Sequence, residues 1–427
     1  MSEPLQTYRL SPQQRRAWLL GGGDGERAAA AVLLEGRLDL DRLAGALQAA
    51  VARHEILRTT FRRRPGSRLP LQVVGPAFAP VLTLRRRMAG AAAPVVAEVI
   101  EQVRLGAAAG APLKAAVHGL GPDRHLLVLS LPALCADEAG LEIFVRELAA
   151  AYAEPAGSAD ADERLQYAVV SDWLNELLES EDSEVGRQFW RGQLADPRAA
   201  TPSLLRVAAG PIRTGAVALP VGAATAAAID ACAARLDVMP AALLAAAWQA
   251  LLWRVRGPGT QPIAALLDGR SRPELAGVVG LLARHVPLSV PVDGDASFAQ
   301  LATVIDAALE KASSWQECYD GDALLGGRTW SRCVPFAIEY RAGRRQHRAG
   351  DLSLRVVATE AYADRFAVLL SFVRTLDGFD ARLRFDAARV SADEAARLAS
   401  GFDALLGSVL ADAAAPAAAL RLLPAAA

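Results

Sequence analysis

The residues best placed to do chemistry lie in the stretch Pro132-Ala133-Leu134-Cys135-Ala136-Asp137-Glu138. The dense apolar run 126–131 before it reads as a central strand, which Pro132 ends abruptly. After it, Leu141, Phe144, Val145, Leu148 and Tyr152 recur at helical spacing. A loop from a central strand into a helix is where α/β folds usually place reacting groups. This one offers a thiol, Cys135, as a nucleophile for an acyl-enzyme, and two carboxylates, Asp137 and Glu138. A thiol needs a base or a cation beside it to ionise, and none neighbours Cys135 in sequence, so it reads as a buried small hydrophobe. The four cysteines, Cys135, Cys232, Cys318 and Cys333, are far apart and form no CxxC pair. That spacing argues against a disulfide framework and against a thiolate metal site. The run Gly21-Gly22-Gly23-Asp24-Gly25 follows a helical pattern and lacks a Gly-Lys-Ser/Thr ending, so it reads as a surface loop rather than a phosphate cradle.

The elements that must hold such a loop are written in hydrophobic pattern. With 427 residues, 52% apolar and 22% charged, the chain can bury a large core and is long enough for two lobes. Lys and Arg number 46 against 47 Asp and Glu. A net charge near zero gives no electrostatic case for nucleic acid or an anionic membrane surface. The arginine runs Arg62-Arg63-Arg64 and Arg85-Arg86-Arg87 read as a solvated face. Met1-Ser2-Glu3-Pro4 is unlike the basic-then-apolar start of a secretory signal. Residues 239–253 are too few to span a bilayer and read as a buried helix. A soluble, cytoplasmic protein is expected.

Strands are predicted at 29–35, 56–61, 71–74, 262–267, 336–340, 352–359, 366–373 and 381–385. Helices are predicted at 12–19, after the cap Asp39 through His54, over 167–194 as one long segment, and at 223–236, 241–254 and 298–311. Ser391-Ala392-Asp393-Glu394 is a capping-box start for a last helix that points Leu398, Phe402, Leu405, Leu406 and Val409 inward. The polar stretch 154–163 is the best lobe boundary, giving lobes 1–163 and 164–427. Strands and helices are interspersed in both halves, so the class is α/β or α+β.

Several segments resemble the motifs of nonribosomal-peptide-synthetase condensation domains. Leu10-Ser11-Pro12-Gln13-Gln14-Arg15-Arg16-Ala17-Trp18 is similar to "S-x-x-Q-x-R-L-W", and Arg53-His54-Glu55-Ile56-Leu57-Arg58-Thr59-Thr60-Phe61 to "R-H-E-x-L-R-T-x-F". Residues 167–173 resemble "Y-x-D-Y-x-x-W", Phe189-Trp190 the "Y-W" that follows, 280–288 "G-x-F-V-N-T-x-P-L", and 328–332 "R-D-x-S-R". The matches keep the family's order along nearly the whole chain. The resemblance implies an α/β fold of two chloramphenicol-acetyltransferase-like lobes, a V-shaped pseudodimer with a central tunnel. It implies no bound cofactor and no metal. Phosphopantetheine arms would be delivered by donor and acceptor peptidyl carrier proteins, and an amine would attack a thioester. Residues 420–424 resemble the family's exit segment, so the chain reads as a piece of a longer synthetase, its first domain if Met1 is the native start.

The central loop departs from that family. Where "H-H-x-x-x-D-G" is expected, Pro132 and Ala133 hold the histidine positions, Asp137 remains, and Glu138 replaces the glycine. Ala133 has no group to accept a proton or orient an amine, and Pro132 also excludes the heterocyclising variant with Asp at the first position. His125, eight residues before Ala133 on a probable strand, is about 20 Å or more away. His285 stands in the "F-V-N-T" segment and is the replacement candidate, read first as a satisfied structural histidine. Asp137 is read as paired with Arg270 of Leu267-Asp268-Gly269-Arg270 and as structural. Glu138 is read as a helix cap. Two functions follow. One is carrier-protein docking, or recruitment of a tailoring enzyme in trans, with His-dependent amide formation lost. The other is acyl transfer by positioning alone.

Overall fold

A computed structural model of the chain describes residues 6–22, 26–85, 96, 112–154, 164–193, 214–257, 262–325, 334–341, 343, 346–361, 364 and 366–423. Its strands, in chain order, are β1 (Thr7–Tyr8), β2 (Arg27–Glu35), β3 (Thr59–Arg63), β4 (Pro70–Val74), β5 (Leu82–Arg85), β6 (Lys114–Gly121), β7 (Arg124–Pro132) and β8 (Thr214–Leu219). They continue as β9 (Ile263–Leu267), β10 (Arg284–Leu288), β11 (Phe336–Arg341), β12 (Gln346–Ala349), β13 (Leu352–Glu360), β14 (Val368–Thr375) and β15 (Gly378–Asp386). The helices are α1 (Pro12–Ala17), α2 (Leu40–Arg53), α3 (Glu138–Ala153), α4 (Tyr167–Glu179), α5 (Glu184–Gln193), α6 (Ala223–Leu236), α7 (Pro240–Arg256), α8 (Phe298–Ser314), α9 (Gly321–Leu325) and α10 (Ala392–Ala411).

The chain divides into two compact units. The first comprises Met1–Glu179, Asp268–Ala283 and Arg344–Ala363, and the second Ser180–Leu267, Arg284–Gly343 and Asp364–Ala427. The sequence reading put the division between 163 and 164. Here α4 goes with the first unit because it buries Tyr167, Val170 and Leu174 in that core. Two later segments also return to the first unit, one of them because β13 pairs with β2. Most of the polar stretch 154–163 lies outside the described residues, as do 328–332, Cys333, Arg86 and Arg87.

In the first unit, six strands run in the order β12-β13-β2-β7-β6-β5. All neighbours are antiparallel except β5 and β6. Alternate residues face opposite sides of a sheet. Ala28, Ala30, Val32 and Leu34 of β2, with Leu127, Leu129 and Leu131 of β7, pack against Leu43, Leu47 and Val51 of α2 and Leu141, Phe144 and Leu148 of α3. The other face carries Ala31, Leu126 and Val128, with Arg27 and Ser130 at its end. Asp39 caps α2, its side chain accepting from the Arg42 backbone N–H at 3.0 Å. β1, β4 and β3 form a small separate sheet. Residues 56–61, expected as a strand, begin instead as a 3-10 turn over Glu55–Arg58. Thr59 Oγ1 donates to the Glu55 carbonyl at 2.8 Å and closes that turn before β3 starts.

The second unit has its own sheet, β10-β9-β11-β14-β15-β8, parallel from β9 through β11 to β14 and antiparallel elsewhere. Its core centres on Trp248, whose ring meets Phe336 at 6.3 Å and Phe402 at 6.2 Å edge-on. The apolar run 242–252 of α7 is buried throughout. Among the described residues no single helix is long and apolar enough to cross a membrane; α6 and α7 pass only as a pair bent by 97°. α10 opens with the expected capping box, Glu394 Oε2 accepting from the Ser391 N–H at 2.8 Å. The single helix expected over 167–194 is two, α4 and α5, parted by a turn at Glu181–Ser183. Ser183 Oγ donates to the Ser180 carbonyl at 2.9 Å, the local bonding by which serines compete with helix.

Candidate functional site

Pro132 is the last residue of β7, opposite Arg27 in the ladder. The Ala133 N–H donates to the Glu26 carbonyl at 3.0 Å, and Ala133–Cys135 coils into one 3-10 turn whose three residues are buried. Asp137 then caps α3. Its Oδ1 accepts from the Gly140 N–H at 2.6 Å and from Arg270 Nη2 at 3.0 Å. Its Oδ2 accepts from Arg270 Nη1 at 3.0 Å and from the Leu282 and Ala283 N–H groups at 2.8 and 2.7 Å. A carboxylate has about four lone-pair sites, so five donors leave Asp137 none for a reacting proton. Arg270 is equally committed, donating also to the Val278, Gly280 and Asp268 carbonyls. Glu138 was expected to cap the helix; that place belongs to Asp137. Glu138 is the first helical residue and accepts from Thr359 Oγ1 at 2.8 Å, tying α3 to β13.

The motif residues converge on this loop from four stretches of the first unit. Ser11 caps α1 in a capping box with Gln14. Ser11 Oγ lies 2.7 Å from the Tyr167 hydroxyl, which donates to the Leu281 carbonyl at 2.8 Å. Gln13 Nε2 reaches the Leu282 carbonyl at 3.2 Å, and Gln14 Nε2 donates to the Leu134 carbonyl inside the loop at 2.9 Å. The Asp137 N–H donates to the Gly280 carbonyl at 3.1 Å. A Cβ on Gly280 would fall 1.9 Å from the Tyr167 ring, so only glycine lets that strand of contacts close. In the second motif, His54 Nε2 lies 2.5 Å from Glu147 Oε2 of α3, and Arg164 pairs with the same carboxylate. Burial pushes the Glu147 carboxyl up, but His54 and Arg164 outweigh it and hold it below its ordinary value. This motif locks α2 to α3 rather than reaching a substrate.

Cys135 is fully buried, and burial drives its thiol far up against a smaller opposing pull from Arg27. A protonated thiol is not a nucleophile. His285 belongs to the second unit, on β10. Its Nε2 is 3.0 Å from Glu339 Oε1 and its Nδ1 is 3.4 Å from Asp364 Oδ2. Phe366 covers the ring edge-on at 4.8 Å. Burial pushes the imidazole pKa down, but the bonds to Asp364 and Glu339 outweigh burial and raise it. Glu339 sits at about 2: burial acts upward, and Arg341 and His285 more than cancel it. With a carboxylate beside each nitrogen, the charged form of His285 is favoured and neither nitrogen is left free as a base. Sequence reasoning missed Glu339, Asp364 and Arg27. Of these, Arg27 left a signal, a charge opening an otherwise apolar strand.

Comparison with known proteins places this architecture. The family model described as Condensation domain matches residues 5–427. The chain belongs to the Condensation domain family. Tyrocidine synthase 3 of Brevibacillus parabrevis is 26% identical over 424 residues, 96% of this condensation domain and 6% of that synthase. The domain therefore spans a small part of the curated relative it matches. Among solved structures, the X-domain from teicoplanin biosynthesis is 24% identical with a TM-score of 0.77, covering 99% of each chain. The same X-domain in its complex with OxyB also gives 0.77 at 24% identity, over 100% of this chain and 98% of that one. The condensation domain of the monacolin K polyketide synthase MokA gives 0.83 at 18% identity, over 97% and 99%. At these identities the structures establish the shared fold.

Proposed function

We propose that this condensation domain serves a nonribosomal peptide synthetase by docking peptidyl carrier proteins, or a tailoring enzyme in trans, with His-dependent amide formation lost. One observation carries the reading: the position where the family sets its catalytic histidine offers no acceptor. Ala133 has no polar atom, Asp137 is saturated by five donors, Cys135 is held protonated by burial, and Glu138 is turned to Thr359. General-base catalysis needs an unoccupied acceptor within reach of the proton. Around the loop, the bonds from Gln13, Gln14, Tyr167 and Arg270 are kept, as a domain retained for its shape would keep them. The likeness to an X-domain solved in complex with OxyB supports recruitment of a partner enzyme. Phosphopantetheine enters this reading as the arm of a docked carrier.

Native mass spectrometry of the domain mixed with holo carrier proteins or tailoring enzymes of its own synthetase tests the reading. A one-to-one complex with at least one of them is expected. Failure of every such partner to bind would overturn it.

A further inference from the structure

Within the second unit, α7, α10 and the starts of β11 and β14 enclose a cavity of about 280 Å³, lined throughout by described residues of that unit. Protein interiors leave few voids larger than a water molecule, and one of about 150 Å³ already takes up benzene. The cavity floor is Phe336 and Val368, paired in the parallel ladder at the first position of each strand. Leu251 and Val255, one turn apart on α7, line one side. Glu394, Arg397, Leu398 and Gly401 line another, at the spacing that puts them on one face of α10. Gly401 lets the helices approach, since a Cβ there would meet Leu251 Cδ1 at 3.3 Å. Leu422 completes the lining, its segment held to α7 by Arg254, which donates to the Leu420 carbonyl at 3.0 Å. Leu251, Phe336, Val368 and Val390 are at most 3% exposed, whereas Val255 is 41% exposed and Arg397 is open to solvent. The cavity is apolar inside and has an entrance at these two residues.

The charges around the cavity select the head of a ligand. Glu394 Oε2 accepts from the Ser391 N–H at 2.8 Å and from Ser391 Oγ at 2.6 Å, so this carboxylate is drawn to the helix cap. Arg397 stands at the entrance, and a second guanidinium, Arg256, lies over the Phe336 ring at 5.5 Å. We propose that this cavity binds a medium-chain aliphatic carboxylate, its hydrocarbon tail among Leu251, Phe336, Val368 and Leu398 and its head on Arg397. An apolar interior with a single exposed guanidinium at the mouth suits one charged end on an otherwise apolar chain. The site uses no residue of the central loop, so it stands or falls apart from the function proposed above.

Calorimetric titration of the whole domain with octanoate, octanamide and butanoate tests this. Octanoate is expected to bind one to one, about tenfold or more tighter than butanoate because four further methylenes leave water. It is expected to bind about threefold tighter than octanamide, the size of a solvent-exposed charge pair. Arg397→Gln, a change at an exposed side chain, is expected to erase the preference over octanamide. Leu398→Trp fills the cavity and is expected to abolish binding of both eight-carbon ligands. No binding of octanoate, affinity indifferent to chain length, or binding unchanged in Leu398→Trp overturns the proposal. Octanamide binding as tightly as octanoate also overturns it, and would point to an uncharged occupant such as an apolar side chain of a partner protein. Should Leu398→Trp not fold, Arg397→Gln decides alone, and a preference for octanoate that survives it overturns the site.

Discussion

Asp137 and Arg270 stand 133 residues apart in sequence and meet as a bidentate pair, each Nη nitrogen 3.0 Å from its own carboxylate oxygen. Both side chains are about 95% buried. Through this pair the end of β7, the start of α3 and the segment 278–283 share one set of hydrogen bonds. The loop is therefore held in shape by its neighbours.

Truncating one partner should reveal how much the pair holds. Asp137→Ala leaves Arg270 buried and unpaired, along with three backbone N–H donors. It is expected to destabilise the domain by about 3–5 kcal/mol. Removing both partners, as Asp137→Ala with Arg270→Met, is expected to fall well short of the sum of the single losses. Urea denaturation of the three variants measures this, and additive losses would show the two side chains to be uncoupled.

The second unit carries a pH signature. Folding raises the His285 pKa above its ordinary 6.5. The charged ring's stabilisation is thus complete below about pH 6.5 and lost as the pH climbs through the folded value. Folding lowers Glu339 from 4.5 to about 2, so its contribution is complete above about pH 4.5 and lost as the pH falls toward 2. Between these limits both contributions stand. Denaturation midpoints across pH 4 to 9 should decline on the alkaline side in the wild type and decline less in His285→Asn. Identical profiles would contradict the charged-ring assignment.

Gly280 is expected to tolerate no side chain. The Cβ of Gly280→Ala would overlap the Tyr167 ring, and Tyr167 is pinned by Ser11 and the Leu281 carbonyl. Overpacking of this kind costs about 1–3 kcal/mol. The matched control is Gly192→Ala, where a Cβ meets nothing within 4 Å. Thermal unfolding of both separates the two cases, and equal melting temperatures would count against the packing described.

Cys135 should be silent to alkylation in the folded domain. Its thiol is fully buried and driven up by desolvation, so iodoacetamide at pH 8 is expected to label it only after unfolding. Peptide mapping of native and urea-treated protein reads this directly. Rapid native labelling would reopen the nucleophile role that burial closes.

Much of the frame was legible in the residues. Asp39, Ser391 and the apolar runs of β2 and β7 each mark their element through a local rule, and α7 reads as buried because it is apolar on nearly every side. The Asp137–Arg270 pair was reachable only through the family resemblance, since no local rule links residues so far apart. The partition of the chain was less legible. β13 returns to the first sheet by pairing with β2, and long-range pairing leaves no trace in local pattern. The same holds for His285, whose carboxylate partners come from β11 and from Asp364.

The most direct test of the central claim is intact-mass analysis of donor and acceptor carrier proteins, loaded with their aminoacyl groups and incubated with the domain. The account predicts that both carriers keep their masses, whether or not they bind. Transfer of the donor acyl group to the acceptor, lost when the domain is omitted, would contradict it.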